Sequence, residues 1–147
     1  MSPDQIRATA TADEVIAALQ MKEHPEGGYY AETFHDPGGP EARGYSSSIY
    51  YLLKKGQRSH WHRIDINEIW HFYGGAPLRL SVSTEDGKQT DHILGMDLLN
   101  GQRPQGLVPK HAWQSAESLG DWTLIGCTVA PGFLFDHWEL APPDWKP

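Results

Sequence analysis

The chain has 147 residues, which is the usual size of one domain, and its 39% of hydrophobic residues is enough for an apolar core. Its 15 glycines and 11 prolines exclude a bundle of long helices, because both residues interrupt helices. The net charge of −7, with 12 Lys and Arg scattered along the chain, argues against nucleic acid or an anionic membrane as the main partner. The composition therefore favours a turn-rich, all-β domain.

Cysteine usage and hydropathy indicate the compartment. Cys127 is the single cysteine, so no disulfide can form within the chain, and a reducing compartment is expected. We find no basic segment followed by an apolar run, and no apolar stretch of about 18 residues that could span a membrane. The sequence predicts a cytoplasmic protein with no membrane partner.

In chain order, residues 1–10 are predicted to be a flexible lead-in, and residues 11–147 a single domain. Thr11 and Glu14 have the spacing of a capping box, in which each side chain binds the backbone N–H of the other residue. Apolar residues at helical spacing follow them. The pattern predicts one short helix over residues 12–21.

Beyond Pro25 apolar and polar residues alternate, and Gly or Pro interrupts the pattern about every ten residues, which is typical of a sandwich or barrel. The segment from His24 to Gly28 is predicted to be a turn, and the alternative is that Glu26 or Tyr29 closes the barrel mouth. Asp86-Gly87 is a hairpin signal. Strands are predicted over residues 29–34, 45–53, 60–63, 68–73, 78–84, 92–95, 105–108, 113–116, 122–129 and 133–140.

Two histidines, His60 and His62, lie two residues apart in a predicted strand. Residues at this spacing face the same side of a strand, so both imidazoles are expected to point the same way. Glu68 follows, where a hairpin could bring its carboxylate opposite them. Two imidazoles and a carboxylate suit a divalent transition metal with open coordination positions. Alone, such a pair is also typical of polar residues on a half-exposed strand.

A longer pattern around these histidines resembles the first motif of the cupin superfamily: Gly56-x3-His60-x-His62-x5-Glu68-x5-Gly74. The best match to the second cupin motif is Gly106-Leu-Val-Pro109-Lys-His111-Ala-Trp113-Gln114. By this resemblance one divalent metal (Zn, Fe, Mn or Ni) is held by His60, His62, Glu68 and Gln114.

Further segments resemble a small single-domain cupin-like family of the Cupin_5 type, a domain of unknown function. They include His24-Pro-Glu-Gly-Gly-Tyr-Tyr30, Glu68-Ile-Trp-His-Phe-Tyr73 and Gly126-Cys-Thr-Val-Ala-Pro-Gly-Phe133. The resemblance covers about residues 13 to 140. It implies a double-stranded β-helix, the cupin jelly roll, with one short N-terminal helix, and a homodimer.

Two departures from the cupin motifs leave the role of Gln114 open. The spacing from His62 to Glu68 is longer than usual, and Gln114 stands where the family has a histidine. An amide oxygen is a weaker ligand than an imidazole, but it can still bind a hard divalent ion. It can equally serve as a hydrogen-bonding group in a metal-free sugar pocket.

The remaining candidates surround this motif. By strand alternation His71 is expected to point away from Glu68 unless a bulge intervenes. Two roles stay open for it: a catalytic residue, or a histidine that forms hydrogen bonds between the sheets or at a dimer contact. Aromatic residues near the motif and one C-terminal histidine are predicted to bind the substrate: Trp70, Phe72, Tyr73, Trp113, Phe133 and His137.

Three functions fit these residues. The first is a small-molecule enzyme that catalyses an isomerisation, an epimerisation or a lyase step on a carbonyl or sugar-like substrate. In this enzyme the metal polarises a substrate oxygen and His71 moves a proton; if no metal binds, Glu68 moves the proton instead. The second is a metal-free sugar epimerase or isomerase with His62 as base, similar to the deoxysugar epimerases of the superfamily. The third is a non-catalytic module that binds or senses a small carbohydrate.

Overall fold

Helix α1 (Ala12–Ala18) comes first in a computed structural model that describes residues 10–84 and 86–147. The predicted capping box is confirmed: Glu14 N donates to Thr11 Oγ1 and Thr11 N donates to Glu14 Oε1, both at 3.2 Å. The helix ends before residue 21 because Gln20 takes a φ of 53°, which a right-handed helix cannot continue. The predicted flexible lead-in lies outside the described residues, apart from Ala10.

Eleven strands follow within the described part of the chain. They are β1 (Lys22–Glu23), β2 (Tyr29–Asp36), β3 (Ser46–Lys54), β4 (Arg58–Arg63), β5 (Glu68–Gly75), β6 (Leu78–Ser83), β7 (Gln89–Leu94), β8 (Gln105–Val108), β9 (Trp113–Ser118), β10 (Trp122–Val129) and β11 (Glu139–Leu140). Short 3-10 turns occur at Pro40–Ala42, Leu98–Asn100 and Phe135–His137. No helix in residues 10–84 or 86–147 is long and apolar enough to cross a membrane.

The strands form two antiparallel sheets. One sheet has six strands in the order β1-β2-β3-β10-β5-β8, and the other has five in the order β11-β4-β9-β6-β7. Neighbours far apart in sequence, such as β3 with β10 and β4 with β9, are the crossovers of a jelly roll. The predicted all-β double-stranded β-helix with one short helix is confirmed.

The alternation pattern places most strands correctly, and it fails at the C-terminal end. The predicted strands over 105–108 and 122–129 agree with β8 and β10. The predicted strand over 133–140 is wrong, because this part of the chain turns through the Phe135–His137 3-10 segment and pairs only at β11. Its aromatic rings pack on one another, with 4.7 Å between the centroids of Phe133 and Phe135, instead of alternating across a sheet.

Two buried clusters lie between the sheets. The larger one contains Trp70, Leu80 and Ile125 among others. The smaller one contains Ile64, Ile66 and Val129, with Phe133 and Trp138 packed against it. A cavity lined by members of both clusters separates them.

Candidate functional site

The cavity has a volume of about 150 Å³ and is lined by both aromatic rings and ionisable groups. The aromatic lining consists of Tyr30, Trp70, Phe133, Phe135 and Trp138. The polar lining consists of His24, Glu26, Glu32, His35, Ser47, His62 and Glu68. Such a combination of apolar walls and few convergent polar groups is typical of a small-molecule site.

A bulge in β4 decides which side chains of this strand reach the cavity. Ser59 pairs with Ala116 and His62 pairs with Gln114, so three steps along β4 oppose two along β9. Ser59 and His62 therefore both face inward. His60 turns outward, where its Nε2 lies 2.9 Å from the carbonyl oxygen of Pro142. The prediction that His60 and His62 face the same way is wrong, because the bulge adds a residue to the alternation.

The inward-facing residues of β4 both hold the carboxyl group of Glu26. Ser59 Oγ donates to Glu26 Oε1 at 3.1 Å, and His62 Nε2 lies 3.2 Å from Glu26 Oε2. Glu26 N in turn donates to His24 Nδ1 at 3.1 Å. Only 9% of Glu26 is exposed, so this carboxyl group belongs to the cavity wall.

The contact between Glu26 and His62 is suited to hold one proton between the two side chains. His62 Nδ1 lies 2.8 Å from the carbonyl oxygen of His60, which can only accept, so Nδ1 carries a hydrogen. A neutral His62 then presents a lone pair at Nε2, and Glu26 must be the protonated partner. If Glu26 is ionised instead, Nε2 holds the proton. The pair therefore shares one proton in either state, as an acid–base pair requires.

Glu68 on β5 is held from the opposite sheet. Gln114 Nε2 donates to Glu68 Oε1 at 2.8 Å, and Trp70 Nε1 donates to Gln114 Oε1 at 2.9 Å. An indole N–H can only donate, so the orientation of the Gln114 amide is fixed. Both ends of the Gln114 amide are thus occupied by protein groups.

Burial sets the charge state of this site. It raises the pKa of Glu26 and of Glu68, because the carboxylate form loses its solvation. It also lowers the pKa of His24 and of His62, although the nearby charge of Glu68 opposes the effect at His62. The cavity therefore favours neutral forms and makes a proton easy to exchange between neighbouring groups.

The predicted metal ligands do not assemble into one site. His62 and Glu68 line the cavity, whereas His60 binds the Pro142 carbonyl and Gln114 is held between Trp70 and Glu68. In residues 10–84 and 86–147, no three His, Cys, Asp or Glu side chains come together as a possible metal site. The donor set does not fit a metal bound in the predicted manner.

Two of the predicted substrate-binding residues, Trp70 and Phe133, line the cavity. Phe72 packs against the larger core cluster. Tyr73 is 47% exposed and stacks on His71. Trp113 lies under the guanidinium of Arg63, 4.6 Å from its ring centroid, on the outside of the five-stranded sheet.

Two predicted histidines lie outside the cavity. His71 is on the outer face of the six-stranded sheet, where its Nε2 is 3.3 Å from Thr128 Oγ1 and its Nδ1 is 3.4 Å from Gln105 Nε2. His137 is at the rim, with Nε2 2.9 Å from Glu41 and Nδ1 3.5 Å from Asp65. Neither contacts the Glu26–His62 pair.

Sequence reasoning missed His24 and Trp138 and treated Glu26 only as an alternative. The available signal was the His24-Pro-Glu-Gly-Gly28 segment. Its glycines let the backbone approach β4 closely: Gly27 has a φ of 110°, and a Cβ at this position would lie 2.2 Å from the Arg58 carbonyl oxygen. This close approach brings Glu26 to Ser59 and His62.

The chain belongs to the cupin superfamily. Residues 13–141 match the Cupin_5 family, described as Cupin superfamily (DUF985). The uncharacterized protein YML079W of Saccharomyces cerevisiae is 28% identical, over 92% of this chain and 78% of its own length. The structure of protein SO0799 from Shewanella oneidensis is 38% identical with a TM-score of 0.87, covering 90% of this chain and 85% of that one.

A more distant neighbour shows the fold alone. Oxalate decarboxylase from Bacillus subtilis is 16% identical with a TM-score of 0.62, and the match covers 80% of this chain and 29% of that enzyme. That enzyme has Mn(II) centres.

Proposed function

We propose that this cupin binds a small carbonyl or sugar-like molecule in the barrel cavity and transfers a proton on it, as an isomerase or epimerase. The proposed reaction does not use a metal bound by His60, His62, Glu68 and Gln114. The observation that carries the proposal is the Glu26–His62 contact, in which His62 Nε2 lies 3.2 Å from Glu26 Oε2 in the cavity wall. Such a pair can accept a second proton from a carbon next to a carbonyl and return it to another face or another carbon.

The same cavity offers donors for the substrate oxygen that gains charge when this proton leaves. Trp138 Nε1 is buried and has no hydrogen-bond partner among the described residues. His24 accepts the Glu26 N–H at Nδ1, so the hydrogen of its neutral form is on Nε2. N–H groups of this kind stabilise an oxyanion without giving up their proton.

The size of the cavity limits the ligand. An apolar cavity of roughly 150 Å³ accepts a benzene ring in other proteins, so a single six-membered ring fits here. The aromatic walls suit the flat or apolar face of such a ring, and the polar lining suits its hydroxyl or carbonyl groups.

Solvent deuterium incorporation tests the proposal. The protein is incubated in D2O with unmodified aldoses, ketoses and 2-oxo acids, and proton NMR follows the loss of the signal from the carbon next to the carbonyl. We expect incorporation into at least one compound. His62→Gln and Glu26→Gln should each slow it about 100-fold or more, because general acid–base catalysis contributes at least that much.

The His60→Gln variant is the matched control, since the His60 imidazole binds Pro142 outside the cavity. It should keep the wild-type rate within about twofold, whereas a metal held by His60 and His62 requires both variants to fail equally. Equal loss in both variants, together with a stoichiometric transition metal in the purified protein, contradicts the proposal. Saturable binding without deuterium incorporation favours the binding module instead.

A further inference from the structure

We infer that the ligand of this cavity carries a positively charged nitrogen, and that Glu68 binds it. The inference rests on the proposed function only in taking the barrel cavity as the ligand site. It adds that the ligand is a cation, and it assigns the binding of this cation to Glu68, which the proposed proton transfer does not use.

Apart from His24, His35 and His62, the side chains of the cavity wall that can carry a charge at neutral pH are all carboxyl groups. Glu26, Glu32 and Glu68 contribute carboxyl groups, and no Lys or Arg is among the described lining residues. The guanidinium of Arg43 lies near the rim but is committed to other groups: it forms two hydrogen bonds with Asp65, at 2.9 and 3.0 Å, and one with the Gly132 carbonyl. An anionic ligand such as a phosphate or carboxylate therefore finds no fixed cation here.

Glu68 is the carboxyl group best placed to receive a cation. Gln114 Nε2 binds its Oε1, and no ion pair joins Glu68 to any other described residue. The Gln114–Trp70 chain fixes its position, since each member is buried and bonded to the next. Burial disfavours the ionised form of Glu68, and a cation supplied by the ligand favours it, so binding of the cation and ionisation of this carboxyl group are linked.

The walls around this carboxyl group are also suited to a cation. Tyr30, Trp70, Phe133, Phe135 and Trp138 surround the cavity with aromatic rings, whose faces attract ammonium groups. The N–H of Trp138 is a second sign of a missing ligand group, because it lies near the Glu26 carboxyl group without completing a hydrogen bond and is free to donate to an oxygen of the ligand. A small ring with an amine and an oxygen function satisfies both features.

Three probes of equal ring size test the inference: cyclohexylamine, cyclohexanol and cyclohexanecarboxylate, titrated at pH 7 and followed by ligand-observed NMR. We expect the amine to bind about tenfold or more tightly than the alcohol, and the carboxylate to bind more weakly than both. Equal affinity of amine and alcohol, tighter binding of the carboxylate, or no binding of the amine overturns the inference.

Two isosteric variants locate the effect. Glu68→Gln should bring the affinities for amine and alcohol within about twofold of each other, because the amide cannot pair with the ammonium. Glu117→Gln removes a carboxylate that pairs with Arg79 on the outside of the barrel, and it should keep the wild-type preference. If Glu68→Gln still prefers the amine over the alcohol as the wild type does, Glu68 is not the group that binds the cation. If this variant does not fold, the three titrations of the wild-type protein still decide the charge class of the ligand.

The two proposals fail separately. Deuterium incorporation into neutral sugars without any preference for the amine leaves the proton transfer intact and rejects the charge class. A preference for the amine with no deuterium incorporation into any compound rejects the proton transfer and keeps the cation site.

Discussion

The carboxyl group of Glu26 lies where its charged form is disfavoured, and this has a consequence for stability. The titratable groups that face it are His24, His62, Tyr51 and Glu68. Burial raises the pKa of Glu26 above its ordinary value of 4.5. The folded chain therefore binds this proton more tightly than the unfolded chain does, and the resulting stabilisation is complete below pH 4.5 and is lost as the pH rises through the folded pKa.

We predict that Glu26→Gln gains stability relative to the wild type as the pH rises from about 4.5 to 8, because an amide has no proton to lose. Each tenfold difference in proton affinity is worth about 1.4 kcal/mol. The free energies of unfolding of both proteins, measured by urea denaturation across this range, check the prediction. Burial lowers the pKa of His24 and His62 and acts in the opposite direction in both proteins, and loss of the Glu26 charge lowers the pKa of His24 further in the variant. If the difference in free energy of unfolding between the two proteins does not change with pH, the pKa of Glu26 is not raised in the folded chain.

At the scale of single residues, the sequence predicts which residues belong to the site better than it predicts their hydrogen-bond partners. The pattern around His62 and Glu68 marks both residues, and both line the cavity. The partners of Gln114 could not be predicted, since Glu68 and Trp70 reach it from the other sheet. Sequence spacing carries no information on which side chains meet across two sheets.

At the scale of elements, strand periodicity predicts where strands occur but not which face a residue takes after a bulge. The predicted strand over 60–63 is part of β4, yet one extra residue in it turns His60 away from the cavity and brings Ser59 in. No turn residue marks this bulge.

In the chain from 131 to 138, which we call the mouth segment, the sequence pattern predicts a strand that does not form. Its aromatic residues pack on one another at the cavity instead of alternating across a sheet.

The mouth segment is held to the barrel by Arg43, which is 5% exposed. Its Nε donates to the Gly132 carbonyl at 2.6 Å, and its other two nitrogens bind Asp65 in the loop between β4 and β5. We predict that Arg43→Ala lowers the free energy of unfolding by about 2 kcal/mol, because the carbonyl and the carboxylate lose their partner. It should also weaken binding of cyclohexylamine, since Phe133, Phe135 and Trp138 belong to this segment.

Arg63→Ala is the matched control for that change. Arg63 pairs with Glu139 and lies over the Trp113 ring at the surface, where the two charged side chains are 36% and 54% exposed, so its loss should cost about 1 kcal/mol or less and leave ligand binding unchanged. Urea denaturation and the NMR titration are measured on both variants. Equal destabilisation by the two substitutions contradicts a specific role of Arg43 in holding the mouth segment.

At the scale of the whole molecule, the outer face of the six-stranded sheet is unusually apolar. The register aligns one row of outward-facing side chains across five strands: Phe34, Ser48, Thr128, Ile69 and Leu107. Phe34 is 56% and Leu107 55% exposed, although both are large hydrophobic residues. His71 and Tyr73 stack beside this row, so His71 points away from Glu68 as strand alternation predicts, and of its two predicted roles this position suits a dimer contact.

We predict that a second copy of the chain covers this face, as the resemblance to dimeric cupins implies, because large hydrophobic side chains exposed on one sheet face mark contact surfaces. Light scattering after size-exclusion chromatography should give twice the mass of one chain. Leu107→Lys places a charge in the contact at the β8 end of the row and should give the monomer, since an unpaired charge in an apolar interface costs several kcal/mol. Leu99→Lys is the control, because Leu99 is 99% exposed away from the row. A monomeric wild type, or a dimer that persists in Leu107→Lys, would show that the row serves another purpose.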